Sequence, residues 1–215
     1  MQSLIMVKSE MTDYISTEPL ILEEEIGYWI AADGPCRDIK ELLLDLHEAS
    51  GARFVSLLKD ITAHPAFLLL KDEPYTYSTG GEKGKDYKNL INAARKAVEH
   101  GYRVFILPNP KDVRTADFIF ERKGVFKMFD LKTISGKSSV GNRLHESIGQ
   151  TNHVLLNMTI DYEPRLLAKD IKTYFEANKH AREVLIMKGN KILPISRQFV
   201  ESKDYIKMFM KRYLK

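Results

Sequence analysis

Asp117, Asp130 and Lys132 are the residues of this chain whose types and spacing suit chemistry on a phosphodiester. They sit in residues 116–134, ADFIFERKGVFKMFDLKTI. Two short apolar-rich runs flank Arg122-Lys123-Gly124, and the glycine supplies the positive φ that a tight hairpin turn needs. With Lys123-Gly124 as a two-residue loop, Arg122 pairs with Val125 and Asp117 falls opposite Asp130. Phe118 then falls opposite Phe129 on the other face, where an aromatic pair belongs in a core. A three-residue loop would instead put the two aspartates on opposite faces.

Two carboxylates facing one another at about 5 Å repel unless a cation sits between them. Lys132 shares the face of Asp130 because strand side chains alternate. A divalent metal held by two aspartates beside an ammonium activates water and stabilises charge on a phosphodiester. On an exposed strand the same Asp-X-Lys is a solvated face with a weak ion pair.

The elements that must position these groups follow from the rest of the sequence. Residues 1–36 contain short strand-like runs around Glu23-Glu24-Glu25, closed by the turn Asp33-Gly34-Pro35. Ile39, Leu42, Leu43 and Leu46 recur at helical spacing, and Ser50-Gly51 closes that helix. Residues 54–58 and 66–70 read as buried strands, or as a helix and then a strand. The glycine-rich TYSTGGEKGKD of residues 76–86 reads as the boundary between an N-terminal α+β portion, 1–80, and a core, 81–215. It lacks the lysine-then-hydroxyl ending of a phosphate-binding loop.

Within the core, Tyr87, Leu90, Ile91, Ala94 and Val98 form one stripe of a helix that Gly101 stops. Residues 102–107 are a strand ended by Pro108-Asn109-Pro110, and the hairpin comes next. A small basic loop, 135–141, leads into a helix over 142–150 that carries Arg143 and Gln150. Residues 153–158 form a strand, 164–178 an amphipathic helix, 183–187 and 191–195 two strands, and 198–214 a last helix with Tyr205, Phe209 and Tyr213 on one side.

The order helix-strand-strand-strand-helix-strand, with Asp on the second strand and Asp-X-Lys on the third, resembles the PD-(D/E)XK nuclease superfamily. Residues 97–158 carry the likeness through HGYRVFILP, ADFIF, FDLKTI, a Ser/Lys loop, NRLHESIGQ and NHVLLNM. They look most like the C-terminal, often tRNA-cleaving, nuclease domains of contact-dependent growth inhibition toxins. The resemblance implies an α/β fold with a mixed central sheet flanked by helices, and a metal-dependent nuclease that favours RNA over DNA. Asp117 and Asp130 would bind Mg²⁺ or Mn²⁺, Lys132 would stabilise developing charge, and Gln150 and Arg143 would steady the phosphate or the water. Relatives usually add a helix glutamate as a third ligand. Lys88 stands near that place here, and Glu82 or Asp86 could substitute. Ser135, Lys137, Ser138 and Ser139 would contact substrate phosphates, and a cognate inhibitor (immunity) protein would be a partner.

The formal net charge of +4 is too small to assign a nucleic-acid partner by itself, so its distribution matters more. Residues 203–215 hold five basic residues against one acidic with Tyr205 and Tyr213 interleaved, which suits a nucleic-acid backbone or a packed surface helix. The single cysteine, Cys36, excludes an intramolecular disulfide and suits a reducing compartment. With neither a membrane-spanning run nor an export signal in the sequence, the expected site of action is the cytoplasm, away from membranes. Rival readings are a DNA endonuclease of the same superfamily, a non-catalytic nucleic-acid binder, and a metal-free ribonuclease built on histidines.

Overall fold

A hairpin sits at the centre of the sheet and fixes its geometry. The computed structural model describes residues 37–80, 86–108, 115–136 and 140–215, and residues 39–215 form one compact unit. Strands β4 (Phe118–Arg122) and β5 (Val125–Ile134) pair antiparallel with Phe118 opposite Phe129 and Arg122 opposite Val125. The two-residue loop is therefore the one the glycine predicted. Lys123 and Gly124 both have positive φ, 52° and 76°, the turn that matches the twist of the flanking strands. The Gly124 amide donates to Glu121 Oε1 at 2.7 Å, which holds the loop closed.

Eight strands run in sequence order through a mixed sheet. Before the hairpin come β1 (Leu68–Leu69), β2 (Thr76–Ser78) and β3 (Arg103–Ile106); after it come β6 (His153–Met158), β7 (Glu183–Lys188) and β8 (Lys191–Ser196). β5 is the pivot. Its first half pairs with β4, and from Asp130 onward it pairs parallel with β6, beginning with Asp130 opposite Val154. A strand that exchanges neighbours halfway leaves a notch where β4 departs.

Seven helices in the described residues cover the sheet: α1 (Ile39–Glu48), α2 (Gly51–Thr62), α3 (Tyr87–Glu99), α4 (Val140–Glu146), α5 (Pro164–Ala177), α6 (Arg197–Val200) and α7 (Tyr205–Leu214). Alternation along the strands sorts three apolar clusters. Phe118, Phe120 and Phe129 pack with Ile91, Ala94 and Ala97 of α3 on one face. On the other face, Phe105 and Ile119 pack with Leu42, Leu46, Leu58 and Ile61 of α1 and α2, while Ile134, Val154 and Val184 pack with α4, α5 and α7. Along β5 that second face runs from Met128 in one cluster to Ile134 in the other. Asp130 and Lys132 lie between them, where neither apolar cluster claims the strand.

Of the two readings of residues 54–58 and 66–70, the helix followed by a strand is the one formed: 54–58 belong to helix α2, where Leu57, Leu58 and Ile61 recur at helical spacing and are buried, and β1 follows. Other sequence expectations are corrected. The helix after the hairpin ends at Glu146, so Gln150 lies in the following turn, where Gly149 takes φ 87°. The last helix is two helices, separated where the Ser202 hydroxyl donates to the Phe199 carbonyl. Tyr205, Phe209 and Tyr213 are buried in the core, so this helix offers no free rings between its lysines. β2, just before residue 80, pairs with β3, which follows α3. Residues 1–36 lie outside the described residues.

Candidate active site

Asp117 is the residue just before β4, and its backbone N–H donates to the Phe129 carbonyl at 2.9 Å. Two positions further along β5, the partner strand has ended and the Leu131 N–H has no ladder acceptor. Asp117 Oδ2 takes that proton at 2.6 Å. The carboxylate thus finishes the ladder and is held over the notch. Asp130 is 2 % exposed, and its carboxyl lies against that of Asp117 within hydrogen-bonding reach.

Lys132 Nζ donates to Asp130 Oδ1 at 3.0 Å and stands 2.9 Å from Oδ2. The second approach lacks hydrogen-bonding angles, so Asp130 Oδ2 is a buried oxygen without a hydrogen-bond partner. Both ion-pair partners are sheltered, with the lysine side chain 14 % exposed.

The electrostatics follow from the count. Two carboxylates and one ammonium leave one negative charge uncompensated in a poorly hydrated notch. Burial pushes Asp117 up to about 7, opposed by the Leu131 N–H and reinforced by the charge of Asp130. Burial also raises Asp130, with Lys132 pulling the other way and Glu146 adding to the rise. The pair holds a proton that exposed aspartates would have lost.

A cavity of about 600 Å³ opens over the notch and is lined by Asp117, Asp130, Lys132, Ser135, Arg143 and Gln150. Six of the sequence-predicted residues therefore share one site. Arg143 pairs with Glu146 at 3.0 Å, and the Gln150 amide donates to the Glu146 carbonyl at 3.0 Å. Both are tied to Glu146 at the cavity wall. Glu82, Lys137, Ser138 and Ser139 lie outside the described residues.

The cavity also gathers Asp86, a possible third ligand in the sequence, and residues that the sequence did not single out. Asp86 and Asn89, at the start of α3, line it together with Thr115 and Thr133. Asp86 stood in the sequence as one substitute for the missing helix acid, and its place at the head of α3 was the available signal. Among the described residues, no three His, Cys, Asp or Glu side chains converge as a ready metal cluster. The two carboxylates nonetheless suit Mg²⁺ or Mn²⁺, which bind through one or two carboxylates and complete their shell with water and substrate phosphate. His153, a rival catalytic group, stands on β6 with its ring against Phe129, 5.6 Å between centroids.

No protein-family model matches the chain, and no curated protein matches it. Among solved structures, the chain is similar to the "CdiA-CT/CdiI toxin and immunity complex from Burkholderia pseudomallei". The TM-score is 0.38 at 16 % identity, covering 52 % of this chain and 85 % of the other. No helix of the described residues is long and apolar enough to cross a membrane.

Proposed function

We propose that the chain is a metal-dependent nuclease that hydrolyses phosphodiester bonds at the Asp117–Asp130–Lys132 notch. The observation that carries this reading is the charge there: a buried Asp130 and a half-buried Asp117 share a single ammonium, that of Lys132. Asp117 and Asp130 would hold a divalent ion, which would supply the missing charge, lower the pKa of a bound water and polarise the scissile phosphate. The chain's own residues do the rest. Asp117, fixed by the Leu131 amide, and Asp130, fixed by Lys132, present oxygens that need no reorganisation. Lys132 keeps its ammonium beside the pair to stabilise charge that develops on the phosphoryl oxygens. Arg143 and Gln150 border the same space, where they steady the phosphate.

RNA, with tRNA as the first candidate, is favoured over DNA on the sequence resemblance alone. The same resemblance suggests a toxin acting in the cytoplasm of a target cell and paired with an inhibitor protein. A non-catalytic nucleic-acid binder is the competing reading, and the lack of a third converging carboxylate among the described residues favours it. Incubating the purified chain with total RNA, plasmid and single-stranded DNA, each with Mg²⁺, Mn²⁺ or chelator, separates these. Metal-dependent cutting is expected, with RNA as the preferred substrate. Binding without cutting under every metal condition would select the rival.

A further inference from the structure

Gln150 belongs to two cavities. One is the notch; the other, of about 620 Å³, lies beyond the 147–153 turn and reaches Phe54 of α2, Phe126 and Lys127 of β5, and Arg182. That second cavity continues into a third of about 440 Å³ through Asn152, His180 and Arg182, ending at Lys179 and Arg197. The three spaces adjoin one another through these shared residues and line up as a path away from the paired carboxylates.

Its charge is one-sided. Among the described residues, no aspartate or glutamate lines the second or third cavity. Lys127 is compensated by Glu183, and Arg197 is occupied with backbone carbonyls of Asn178 and Ala181. Lys179 and Arg182 are exposed and have no ion pair among the described residues. Burial, helped by Lys127 and Arg182, lowers His153 to about 4, so that wall stays uncharged at neutral pH. Positive charge is thus concentrated at the far end, and half-buried Phe54 and Phe126, packed against the core under α1 and α2, border the second cavity with aromatic surface.

The path is also built rather than loose. Arg197 clasps the loop that carries Lys179, His180 and Arg182, donating to the Ala181 carbonyl at 3.1 Å and to that of Asn178. The Arg182 N–H donates to the Asn152 carbonyl at 2.7 Å, and the Thr151 hydroxyl donates to the Met128 carbonyl at 3.2 Å. Both walls are tied to the sheet. Each larger cavity falls in the roughly 300–1,000 Å³ range of small-ligand sites, a size for unstacked nucleotides and not for a duplex side. Ring faces plus a cationic rail are how proteins hold single strands.

We propose that this path is the docking groove for a single-stranded stretch of nucleic acid, its phosphates drawn to Lys179 and Arg182 while the chain continues past Gln150 into the notch. The assignment rests on the nuclease reading for its direction, and on the groove's own charge and walls for its ligand. It is tested with the full chain and a fluorescein-labelled single-stranded RNA oligonucleotide, in chelator so that nothing is cut. Anisotropy is followed across a salt series for wild type and Lys179→Ala/Arg182→Ala.

Both side chains are exposed and outside any ion pair among the described residues, so the double variant keeps its stability, as a melt confirms. Binding at low salt is expected to weaken by about tenfold or more, and the log–log salt slope to become shallower by about 0.7 for each phosphate no longer neutralised. A matched duplex is expected to bind more weakly than the single strand. Unchanged affinity and slope in the variant would overturn the groove, and so would a preference for duplex. Wild type that binds with the expected signature yet cuts nothing in metal keeps the groove and removes the nuclease reading.

Discussion

Asp117→Asn should make the metal-free protein more stable at high pH while abolishing its chemistry. The asparagine carbonyl can still accept the Leu131 N–H, and its amide can donate to Asp130, so the substitution keeps the geometry and removes one buried charge. The magnitude comes from the shift of Asp117 from 3.8 to about 7. At 1.36 kcal/mol per unit, that is a penalty of about 4 kcal/mol at most, carried by the native state when the group is ionised. Between about pH 4 and 7 the native state holds a proton that the unfolded chain has lost, so this group's contribution falls as pH rises through that window. It levels off above 7, where the full penalty applies.

His153 works in the opposite direction. Its pKa is lowered to about 4 by burial, so its contribution is complete above about 6.5 and is lost as pH falls towards 4. Comparing variant with wild type cancels it. Urea unfolding in chelator at pH 5 and pH 8 reads the difference directly. The variant should gain at least about 1 kcal/mol more at pH 8 than at pH 5. An equal effect at both pH values, or a loss confined to pH 8, would refute the claim that the pair stores uncompensated charge.

Three other outcomes follow from the same geometry. Lys132→Met leaves Asp130 without its cation, so it should lower cleavage by about a hundredfold or more, and NMR titration should find the Asp130 carboxyl raised further. Gly124→Ala meets no atom within 4 Å but must adopt φ 76°, so denaturant unfolding should show a loss of about 1 kcal/mol while cleavage survives. His153 should remain neutral from pH 8 down to about 5 in an NMR titration, and His153→Gln should leave metal-dependent cleavage within a few-fold of wild type. A tenfold or greater fall would bring the histidine-based mechanism back.

The hairpin was legible because three signals agreed on one register: a glycine in the turn, phenylalanines of matching parity, and aspartates on the other face. What parity could not show is that β5 changes partners at Asp130, because that depends on β6, distant in sequence. Helix α2 was ambiguous since residues 54–58 are too short an apolar run to separate strand from helix; Ile61, a turn later, decides it. The helix carrying Arg143 was placed correctly, yet its end was overrun: Ser147 turns back on the Leu144 carbonyl, a local competition that composition does not report. Asn89 joins the site through the packing of α3 over the sheet, a tertiary fact with no local signature. The basic groove was hidden for the same reason, since Phe54, Gln150 and Arg182 are far apart in the chain.

The measurement closest to the central claim is the rate at which the full chain cleaves one RNA in Mg²⁺, beside the same protein in chelator and beside Asp130→Asn in Mg²⁺. Cutting is expected to disappear in chelator and to fall by about a thousandfold in the variant, with the variant folded. Cutting that persists at near wild-type rate in either arm would contradict a metal-dependent site and move the chemistry away from the Asp117–Asp130 notch.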